Sequence, residues 1–337
     1  MQASHVVYGL RIASDLVLPG LAVCNESDSV NLQVHLQEHE KFAAKFGTTL
    51  SHVFYSSPDT DGESKSILQV GTLVDGRYIG FFYRDGARFA IEHRGREIWA
   101  GWPENYTLED ACTYLVGPVL AFVLRLQGVT CLHASAIALD GRAIVLFGLA
   151  GAGKSTTAAA FALRGYAVLS DDVVVLADLG DRFVVQPGYP RVNLWPDSVC
   201  TLFGSEDALP LITPTWDKRY LALDQNGRRF QSSPLPLGAI YILGEREAEL
   251  TDPVIEEVVG GEAIMTLVAN THVNYLLDRD MRIHEFDILS RLLVGVPVRR
   301  VRPTADTSKV FALCESITAD ATQLAFSGAT RTALRAD

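Results

Sequence analysis

The sequence predicts an α/β fold in which a β-rich N-terminal domain, residues 1–127, precedes an α/β domain over 128–304 and a helical segment over 305–337. Three observations predict this arrangement. Strand-like runs dominate the first part, a glycine-rich loop separates a strand from a helix in the second, and helical patterns return towards the C-terminus. A chain of 337 residues is long enough for two domains, and 48% apolar residues supply a substantial core.

The N-terminal domain contains several segments of strand composition. Residues 6–12 and 30–36 are rich in strand formers, and the second of these alternates apolar with polar side chains, as a strand with one buried face does. The Asp-Gly pair at 85–86 joins the runs 77–83 and 87–93, which is a hairpin signal. A sheet packed on one face explains this pattern.

An apolar helix is predicted to connect the two domains. Thr107 and Asp110 resemble a capping box in which Asp replaces the usual Glu or Gln. The apolar pattern that follows continues to about Gln127. The first domain is therefore expected to end with this helix.

The second domain alternates strands and helices. Residues 131–139 predict a strand that turns back into the next one, while 262–277 and 284–293 predict helices. Residues 296–301 predict an edge strand, because Pro297 lies inside the run and cannot donate a ladder hydrogen bond.

The most specific motif is Gly-Leu-Ala-Gly-Ala-Gly-Lys-Ser at residues 148–155, which fits the phosphate-binding pattern G-x-x-x-x-G-K-[ST]. The alternative is a glycine-rich turn in an ordinary α/β domain. A strand-like run at 143–147 and an Ala-rich helical run at 156–163 flank the motif, and this context places phosphates at a helix N-terminus. The motif predicts a site for ATP and Mg²⁺, contacted by Gly148, Gly151, Ala152, Gly153, Lys154, Ser155 and Thr156.

Two adjacent carboxylates follow the next predicted strand. Asp171 and Asp172 would lie at the carboxyl edge of the sheet, where the glycine-rich loop also opens. Adjacent side chains in extended backbone point to opposite faces, so the two carboxylates are expected to have different tasks. Both are candidate catalytic residues, and Ser155 and Asp172 are the candidate metal ligands. The alternative interpretation is a solvated turn.

One histidine and several cations complete the candidate site. His133, in the strand that precedes the loop, is a candidate catalytic residue, although a lone histidine in an apolar strand is more often a satisfied core residue. Candidates for neutralising phosphate charge are Arg191, Lys218 and Arg219, with Arg228 and Arg229 nearby. Trp195 is predicted to pack a loop. Seven histidines fit no metal spacing and are predicted to be structural or on the surface: His5, His35, His39, His52, His93, His272 and His284.

Composition excludes several classes of function. The net charge of −11 argues against a nucleic-acid binder. Five dispersed cysteines without a CxxC pair predict reduced structural thiols. We find no secretory signal pattern and no apolar run of membrane-spanning length, so a cytoplasmic protein without membrane or nucleic-acid partners is expected.

Taken together, His133, the loop at 148–155 and the pair Asp171 and Asp172 resemble the HPr kinase/phosphorylase family. In that family a strand histidine precedes a G-x-S-G-x-G-K-S loop, a helix and an Asp-Asp pair. The resemblance covers residues 129–178 closely and implies a fold similar to phosphoenolpyruvate carboxykinases. It also implies transfer of phosphate from a nucleotide to a serine hydroxyl, with one of the two aspartates as the general base and His133 beside it.

The sequence departs from the regulatory family at two positions of the loop, and other segments resemble a related group of proteins. Ala150 stands where serine is usual, and Thr156 stands where glutamate is frequent. The strand at 8–10, Tyr-Gly-Leu, and the stretch Gly-Tyr-Pro-Arg-Val-Asn-Leu-Trp at 188–195 resemble the HPr-kinase-related proteins of peptide gene clusters. Those include kinases that phosphorylate the C-terminal serine of a lasso-peptide precursor.

The resemblance implies a peptide or protein substrate and a homo-oligomer, since HPr kinases form hexamers. No pattern in this chain specifies an oligomeric state. Two other functions stay open from the residues alone: an ATP-binding regulatory protein without kinase activity, and a kinase of a small hydroxylated metabolite.

Overall fold

The computed structural model describes residues 2–24, 29–58, 66–73 and 76–333, with side chains described up to residue 324. The chain divides into two compact units. The first comprises Met1–Val129, Thr213–Trp216 and Val273–Met281, and the second comprises Thr130–Ile212, Asp217–His272 and Arg282–Asp337. Both units combine helices with a large sheet, so the chain has a mixed α/β fold.

The two units differ from the predicted domains in two respects. Two short segments from the second half of the chain belong to the first unit. The C-terminal segment predicted over 305–337 is part of the second unit. Its apolar residues Val310, Leu313 and Ile317 are buried in the same core as Tyr241, which explains why it does not stand apart.

The first unit is built on a sheet. Its strands are β1 (Ala3–Val7), β2 (Leu10–Ser14), β3 (Leu32–Glu38), β4 (His52–Ser56), β5 (Leu68–Leu73), β6 (Tyr78–Tyr83), β7 (Arg88–Glu92) and β8 (Glu97–Trp102). Within the described residues, eight strands follow the order β1-β2-β3-β8-β7-β6-β5-β4. Helix α1 (His39–Phe46) buries Phe42 and Phe46 against Leu73, Tyr78 and Ala90 of this sheet.

The predicted hairpin between β6 and β7 is present, whereas the strand predicted over 6–12 is divided. Asp85 accepts a hydrogen bond from the Ala87 N–H at 2.9 Å within the β6–β7 turn. Tyr8 and Gly9 both have positive φ, 58° and 80°, and form a tight turn between β1 and β2. An Asp-Gly pair in a sequence indicates such a turn, whereas a Tyr-Gly pair does not, because tyrosine rarely adopts the left-handed conformation.

The connecting helix begins as predicted but is not continuous. Thr107 and Asp110 form the capping box, since the Thr107 hydroxyl accepts from Asp110 N and Asp110 accepts from Thr107 N. The helix is then divided into α2 (Leu108–Tyr114), a π turn over Leu115–Val119 and α3 (Leu120–Leu126). The break falls at Gly117 and Pro118, because proline lacks the N–H that a regular helix needs.

The second unit carries the larger sheet. Its strands are β9 (Thr130–Leu139), β10 (Arg142–Phe147), β11 (Ala167–Ser170), β12 (Val173–Asp178), β13 (Phe183–Gln186), β14 (Arg191–Leu194), β15 (Arg219–Ala222), β16 (Arg229–Phe230), β17 (Leu235–Leu243), β18 (Val254–Glu257) and β19 (Val298–Arg302). In the described part, nine strands form this sheet in the order β16-β11-β9-β12-β13-β17-β19-β18, with β10 paired to β9 and β17. Strands β14 and β15 form a separate pair.

Helices cover both faces of the larger sheet. They are α4 (Lys154–Leu163), α5 (Pro196–Phe203), α6 (Gly260–Ala269), α7 (Arg279–Gly295) and α8 (Val310–Ala333), with α7 belonging to the second unit from Arg282 onward. The Ala-rich helix α4 and α8 share one core with the sheet, while α6 and α7 contribute to another. Within the described residues, no helix is both long and apolar enough to span a bilayer.

Two predictions for the C-terminal half of the chain are wrong in detail. The run at 296–301 is not an edge strand, since β19 begins after Pro297 and pairs with both β17 and β18. Pro297 lies before the first residue of β19 and removes no hydrogen-bond donor from the strand, so the strand can occupy an interior position in the sheet.

The helix predicted over 262–277 ends at Ala269, and a short 3₁₀ turn at Asn274–Leu276 follows it.

Candidate functional site

The glycine-rich loop lies between β10 and α4, at the carboxyl end of a strand that runs parallel to β17. Gly148 has φ of 143°, and a Cβ at this position would lie 2.7 Å from the carbonyl oxygen of Leu243. Only glycine therefore fits where the loop leaves β10. Gly153, with φ of 92°, precedes the first residue of α4, so the free N–H groups of this helix begin inside the loop.

Lys154 is folded back onto the loop. Its Nζ donates to the carbonyl oxygens of Gly148 and Leu149, each at 2.9 Å, and the residue is 7% exposed. Burial lowers the pKa of the ammonium group, while the charges of Asp172 and Asp171 act in the opposite direction. The amine is thus held at the mouth of the loop by acceptors that an anionic ligand can replace.

Asp171 ties three elements together. It is 1% exposed, and its Oδ1 accepts from the Ser135 hydroxyl of β9 at 2.7 Å and from the Ser155 hydroxyl of α4 at 2.8 Å. Its Oδ2 accepts from the N–H of Asn193 in β14 at 2.9 Å. Burial raises the pKa of this carboxyl group, whereas the hydrogen bonds that it accepts act to lower the pKa.

Asp172 has a different environment. Its backbone lies in the left-handed region, with φ of 69°, which is uncommon outside glycine. Its side chain is 36% exposed, and His133 Nδ1 lies 3.3 Å from its Oδ1. Burial acts to raise the pKa, but the electrostatic interactions with His133, His272, Lys218 and Lys154 together hold the pKa below the ordinary value. Asp172 is therefore ionised at neutral pH.

His133 belongs to the same cluster. Its Nδ1 lies 3.2 Å from the main-chain carbonyl oxygen of Asp172, and Val173 is its pairing partner across β9 and β12. Burial lowers the pKa of the imidazole, with Asp172 opposing the shift. A neutral imidazole beside an ionised carboxylate results at neutral pH.

His133, Lys154, Ser155 and Asp172 line a cleft of about 500 Å³, whereas Asp171 is not among its lining residues. A cavity of this size is typical of small-molecule sites. The lining residues are His133, Ala150, Gly151, Gly153, Lys154, Ser155, Thr156, Asp172, Asn193, Leu194, Trp195, Asp197, Ser198, Thr201, Lys218, Arg246 and Thr307. Of the predicted phosphate-contacting residues, Gly148 and Ala152 are not among them. Thr156 Oγ1 lies 2.8 Å from the hydroxyl oxygen of Ser198 in α5.

The predicted basic residues are distributed unevenly. Lys218 lines the cleft, whereas Arg191 packs its guanidinium over the ring of Tyr220, 4.3 Å from the ring centroid. Arg219 pairs with Asp207 at 2.5 Å. Outside the cleft lining, Arg228 donates to the carbonyl oxygen of Ala222 at 2.8 Å and Arg229 donates to that of Gly165. The structure brings only Lys218 of this set to the loop.

Sequence reasoning did not place Arg246 or Trp195 in the cleft, and it did not place His272 beside His133. Arg246 follows β17 and lines the cleft, and its Nη2 would lie 3.6 Å from a Cβ placed on Gly153. Trp195 does not pack a loop, because it is 58% exposed in the cleft wall with Lys218 Nζ 4.8 Å from its ring centroid. His272, predicted to be structural or on the surface, has its ring centroid 5.4 Å from that of His133.

The sequence contained a signal for only one of the three. Trp195 closes the Gly-Tyr-Pro stretch after the aspartates, and that stretch leads into the cleft. Arg246 reaches the cleft, and His272 reaches His133, through the pairing of distant segments, which no local pattern predicts.

Chemically, the arrangement combines a main-chain anion site with a proton acceptor. The loop N–H groups, Lys154, Lys218 and Arg246 present positive charge to the cleft. Asp172 presents an ionised carboxylate in the same cleft. The site is thus suited to hold an anionic ligand and to remove a proton from a neighbouring group.

No protein-family model matches the sequence, and a comparison with curated proteins finds no match. Among solved structures, the chain is similar to the Hpr(Ser) kinase/phosphatase from Coxiella burnetii, with 14% identity and a TM-score of 0.33. The alignment covers 60% of this chain and 95% of that one. A likeness at this level identifies neither a family nor an activity.

Proposed function

We propose that this protein is a kinase that transfers the γ-phosphoryl group of ATP to a hydroxyl group. The observation that carries the proposal is the division of labour between the two aspartates. Asp171 is buried on the hydroxyl of Ser155, the last residue of the loop motif, while Asp172 is ionised in the cleft beside His133. A phosphate site alone explains the first contact, and proton removal from an acceptor would give the second a role.

The donor would bind at the glycine-rich loop. Main-chain N–H groups at the start of α4 are free of helical partners and favour phosphate oxygens. Lys154 would exchange its two carbonyl contacts for the outer phosphates. Lys218 and Arg246, from two other loops that line the cleft, would add positive charge where the transferred group develops negative charge.

The residues present fit a magnesium ion. The Ser155 hydroxyl and the Asp171 carboxylate are oxygen donors, which Mg²⁺ prefers, and they already lie 2.8 Å apart. The sequence predicts Ser155 with Asp172, but the structure brings Asp171 to the serine, so we assign the metal to Ser155 and Asp171. When bound, Mg²⁺ neutralises charge on the phosphate oxygens.

Asp172 would act as the general base. Its carboxylate is accessible from the cleft and ionised, whereas that of Asp171 is enclosed by three donors. His133 would orient Asp172 through the contact between Nδ1 and Oδ1 and stabilise its ionised form. The left-handed backbone at Asp172 costs of order 1–3 kcal/mol and directs the carboxylate to this position.

For the acceptor we propose a serine hydroxyl of a peptide or protein, with the C-terminal serine of a lasso-peptide precursor as the specific candidate. Support for this acceptor comes from the resemblance of residues 188–195 to the kinases of peptide gene clusters. The stretch ends at Trp195 in the cleft wall, where an exposed aromatic ring suits contact with a ligand. A homo-oligomer is part of the same proposal.

The test is phosphoryl transfer from γ-labelled ATP to serine-containing peptides, with the product sites located by mass spectrometry. Wild-type protein should yield one phosphoserine on a peptide, and Lys154→Ala should yield none. Arg229→Ala, which alters a cation outside the cleft lining, is the control and should retain transfer. Tight ATP binding without transfer to any peptide or hydroxylated metabolite would contradict the kinase and favour a nucleotide-binding regulator.

A further inference from the structure

A second group of side chains lies at the wall of the cleft. Within the described residues, one ring nitrogen each from His133 and His272 and a carboxylate oxygen of Asp172 all lie within 4.8 Å of one another. Their side chains are accessible to different degrees, 37% for His133 and 36% for Asp172, whereas His272 is 9% exposed as a residue. Two imidazoles and a carboxylate form a ligand set for a cation, which is a task distinct from the proton removal proposed for Asp172.

The main chain fixes the positions of all three residues. On one side of β9, His133 pairs with Val173, the residue that follows Asp172. On the other side, Leu132 forms a bridge with Thr271, and the N–H of His272 donates to the carbonyl oxygen of Cys131 at 2.9 Å. The three side chains therefore converge because β9 lies between the two segments that carry the others.

Thr271 is held in turn by a buried hydrogen bond. Its hydroxyl donates to Oε1 of Glu285 in α7 at 3.0 Å, and Glu285 is 3% exposed. The segment that carries His272 is thus anchored both to β9 and to a helix. Ligands on such supports lose little conformational entropy when an ion binds.

The spacing suits a divalent ion with short bonds. Ligand bonds of about 2.0–2.1 Å in a tetrahedral site place neighbouring donor atoms roughly 3.3 Å apart. His133 Nδ1 and Asp172 Oδ1 are separated by 3.3 Å, and the ligand atom of His272 lies within 4.8 Å of the other two ligand atoms. Three protein ligands leave at least one coordination position for water or a bound molecule.

We propose that His133, Asp172 and His272 form a second cation site, selective for Zn²⁺ and similar ions over Mg²⁺. Imidazole nitrogen favours Zn²⁺, Co²⁺ and Ni²⁺, whereas Mg²⁺ prefers oxygen donors in octahedral geometry. The site is therefore chemically distinct from the Ser155 and Asp171 pair assigned to magnesium.

Occupation of this site inhibits transfer, a consequence that rests on the proposed function. An ion on Asp172 engages the carboxylate that would accept the proton of the acceptor hydroxyl. It also engages His133, which orients that carboxylate. Magnesium and nucleotide remain bound, because Lys154, Ser155 and Asp171 do not contribute to the second site.

The binding test uses the full chain, freed of metal by a chelator and without nucleotide. Titration with Co²⁺ should give the visible absorption of a tetrahedral site with one ion per chain, displaced by Zn²⁺. In His272→Gln, the affinity for Co²⁺ should fall at least about tenfold, because the variant lacks a metal ligand. Loss of a residue that only supports a ligand already lowers metal affinity by about 10–100-fold. The matched control is His52→Gln, an exposed histidine of the first unit, which should bind like the wild type.

Unchanged cobalt binding in His272→Gln, or none in the wild type, overturns the site. If His272→Gln does not fold, the NMR spectrum of the cobalt-loaded wild type decides, since exchangeable N–H protons of two coordinated imidazoles are expected. Signals from fewer than two imidazoles also overturn it.

The inhibition test adds micromolar Zn²⁺ to transfer assays with excess Mg²⁺ and ATP. Wild type should be inhibited, while His272→Gln should transfer phosphate and resist zinc. Equal inhibition of both proteins overturns the regulatory role of the site. The cobalt titration still decides whether the site binds a metal. If no acceptor is phosphorylated, the proposed kinase function fails, and the cobalt titration still decides the metal site.

Discussion

Asp171 and Asp172 show how neighbouring residues of one type acquire different chemistry. Asp171 accepts three hydrogen bonds in a closed environment, and burial raises its pKa. Asp172 has a left-handed backbone conformation, and its interactions with two histidines and two lysines hold its pKa low. The sequence predicts that the two differ, because adjacent side chains diverge, but not which of them enters the cleft.

Arg246 is the residue whose role is most open to a direct test. It faces the loop near Gly153, and its Nη1 donates to the carbonyl oxygen of Thr304 at 3.2 Å, which restrains its position. Arg246→Ala should lower the transfer rate about 10²–10³-fold, the usual cost of losing one group that stabilises transition-state charge. Steady-state kinetics with labelled ATP measures the change.

The matched control for Arg246→Ala is Arg219→Ala. Arg219 is paired with Asp207 and does not line the cleft, so the variant should keep a rate close to that of the wild type. Equal rates for Arg246→Ala and wild type would remove Arg246 from the proposed mechanism.

At the scale of elements, the predictable parts of the site were those encoded within a short stretch. The strand, glycine loop and helix at 143–163 follow from local composition, and so does the turn that carries the aspartates. The connecting helix begins at its capping box as predicted, whereas the break at Gly117 and Pro118 was not predicted.

The remaining elements depended on contacts between distant segments. Strand β19 is interior because β18 pairs with its far side, and the sequence of β19 itself does not encode that neighbour. Arg246 reaches the cleft, and His272 reaches His133, for the same reason, since β9 and β17 each bring a partner from elsewhere in the chain. Spacing rules find sites on single elements and miss those that the sheet assembles.

The position of Gly148 at the end of β10 gives a prediction for the loop element. A Cβ there would approach the Leu243 carbonyl oxygen to 2.7 Å, so Gly148→Ala must displace either the loop or β17. We expect ATP affinity, measured by calorimetry, to fall at least about tenfold, which corresponds to roughly 1.4 kcal/mol.

Gly165→Ala is the control for this change. Gly165 also has positive φ, 86°, but no atom lies within 4 Å of the added Cβ. It should therefore lose about 1–2 kcal/mol of stability from backbone strain while it binds ATP normally. Normal binding by Gly148→Ala would show that the close packing at β17 does not shape the loop.

On the scale of the whole molecule, the last helix holds the second unit together and is not an appendage. Asp320 of α8 accepts two hydrogen bonds from Arg299 of β19, at 3.0 Å and 2.6 Å, and one from Tyr241 of β17 at 2.7 Å. Burial opposes ionisation, but the Arg299 and Tyr241 hydrogen bonds hold the pKa of Asp320 below its ordinary value. The Asp320 side chain is 13% exposed, so solvent only weakly screens its ion pair with Arg299.

Asp320→Asn should reduce the free energy of unfolding by about 2–3 kcal/mol at neutral pH, because it leaves Arg299 without its charged partner. Since the folded-state pKa is depressed, the stabilisation is complete above the unfolded value of 3.8 and is lost as the pH falls through the lower folded value. The difference between variant and wild type should therefore shrink below pH 3.8 in urea titrations.

Glu315→Gln provides the comparison on the same helix. Glu315 is 62% exposed and pairs with Arg164 at the surface, so the variant should cost less than about 1 kcal/mol. A cost for Asp320→Asn no greater than that for Glu315→Gln would contradict the tie between α8 and the sheet.

The central claim is that Asp172 removes the proton from an acceptor hydroxyl while the loop holds the nucleotide. The most direct measurement compares single-turnover phosphoryl transfer and ATP affinity in wild type and Asp172→Asn. We predict a rate lower by about 10²–10⁴-fold with ATP affinity retained, the range expected for a lost general base. An Asp172→Asn protein that transfers phosphate at the wild-type rate would contradict the claim.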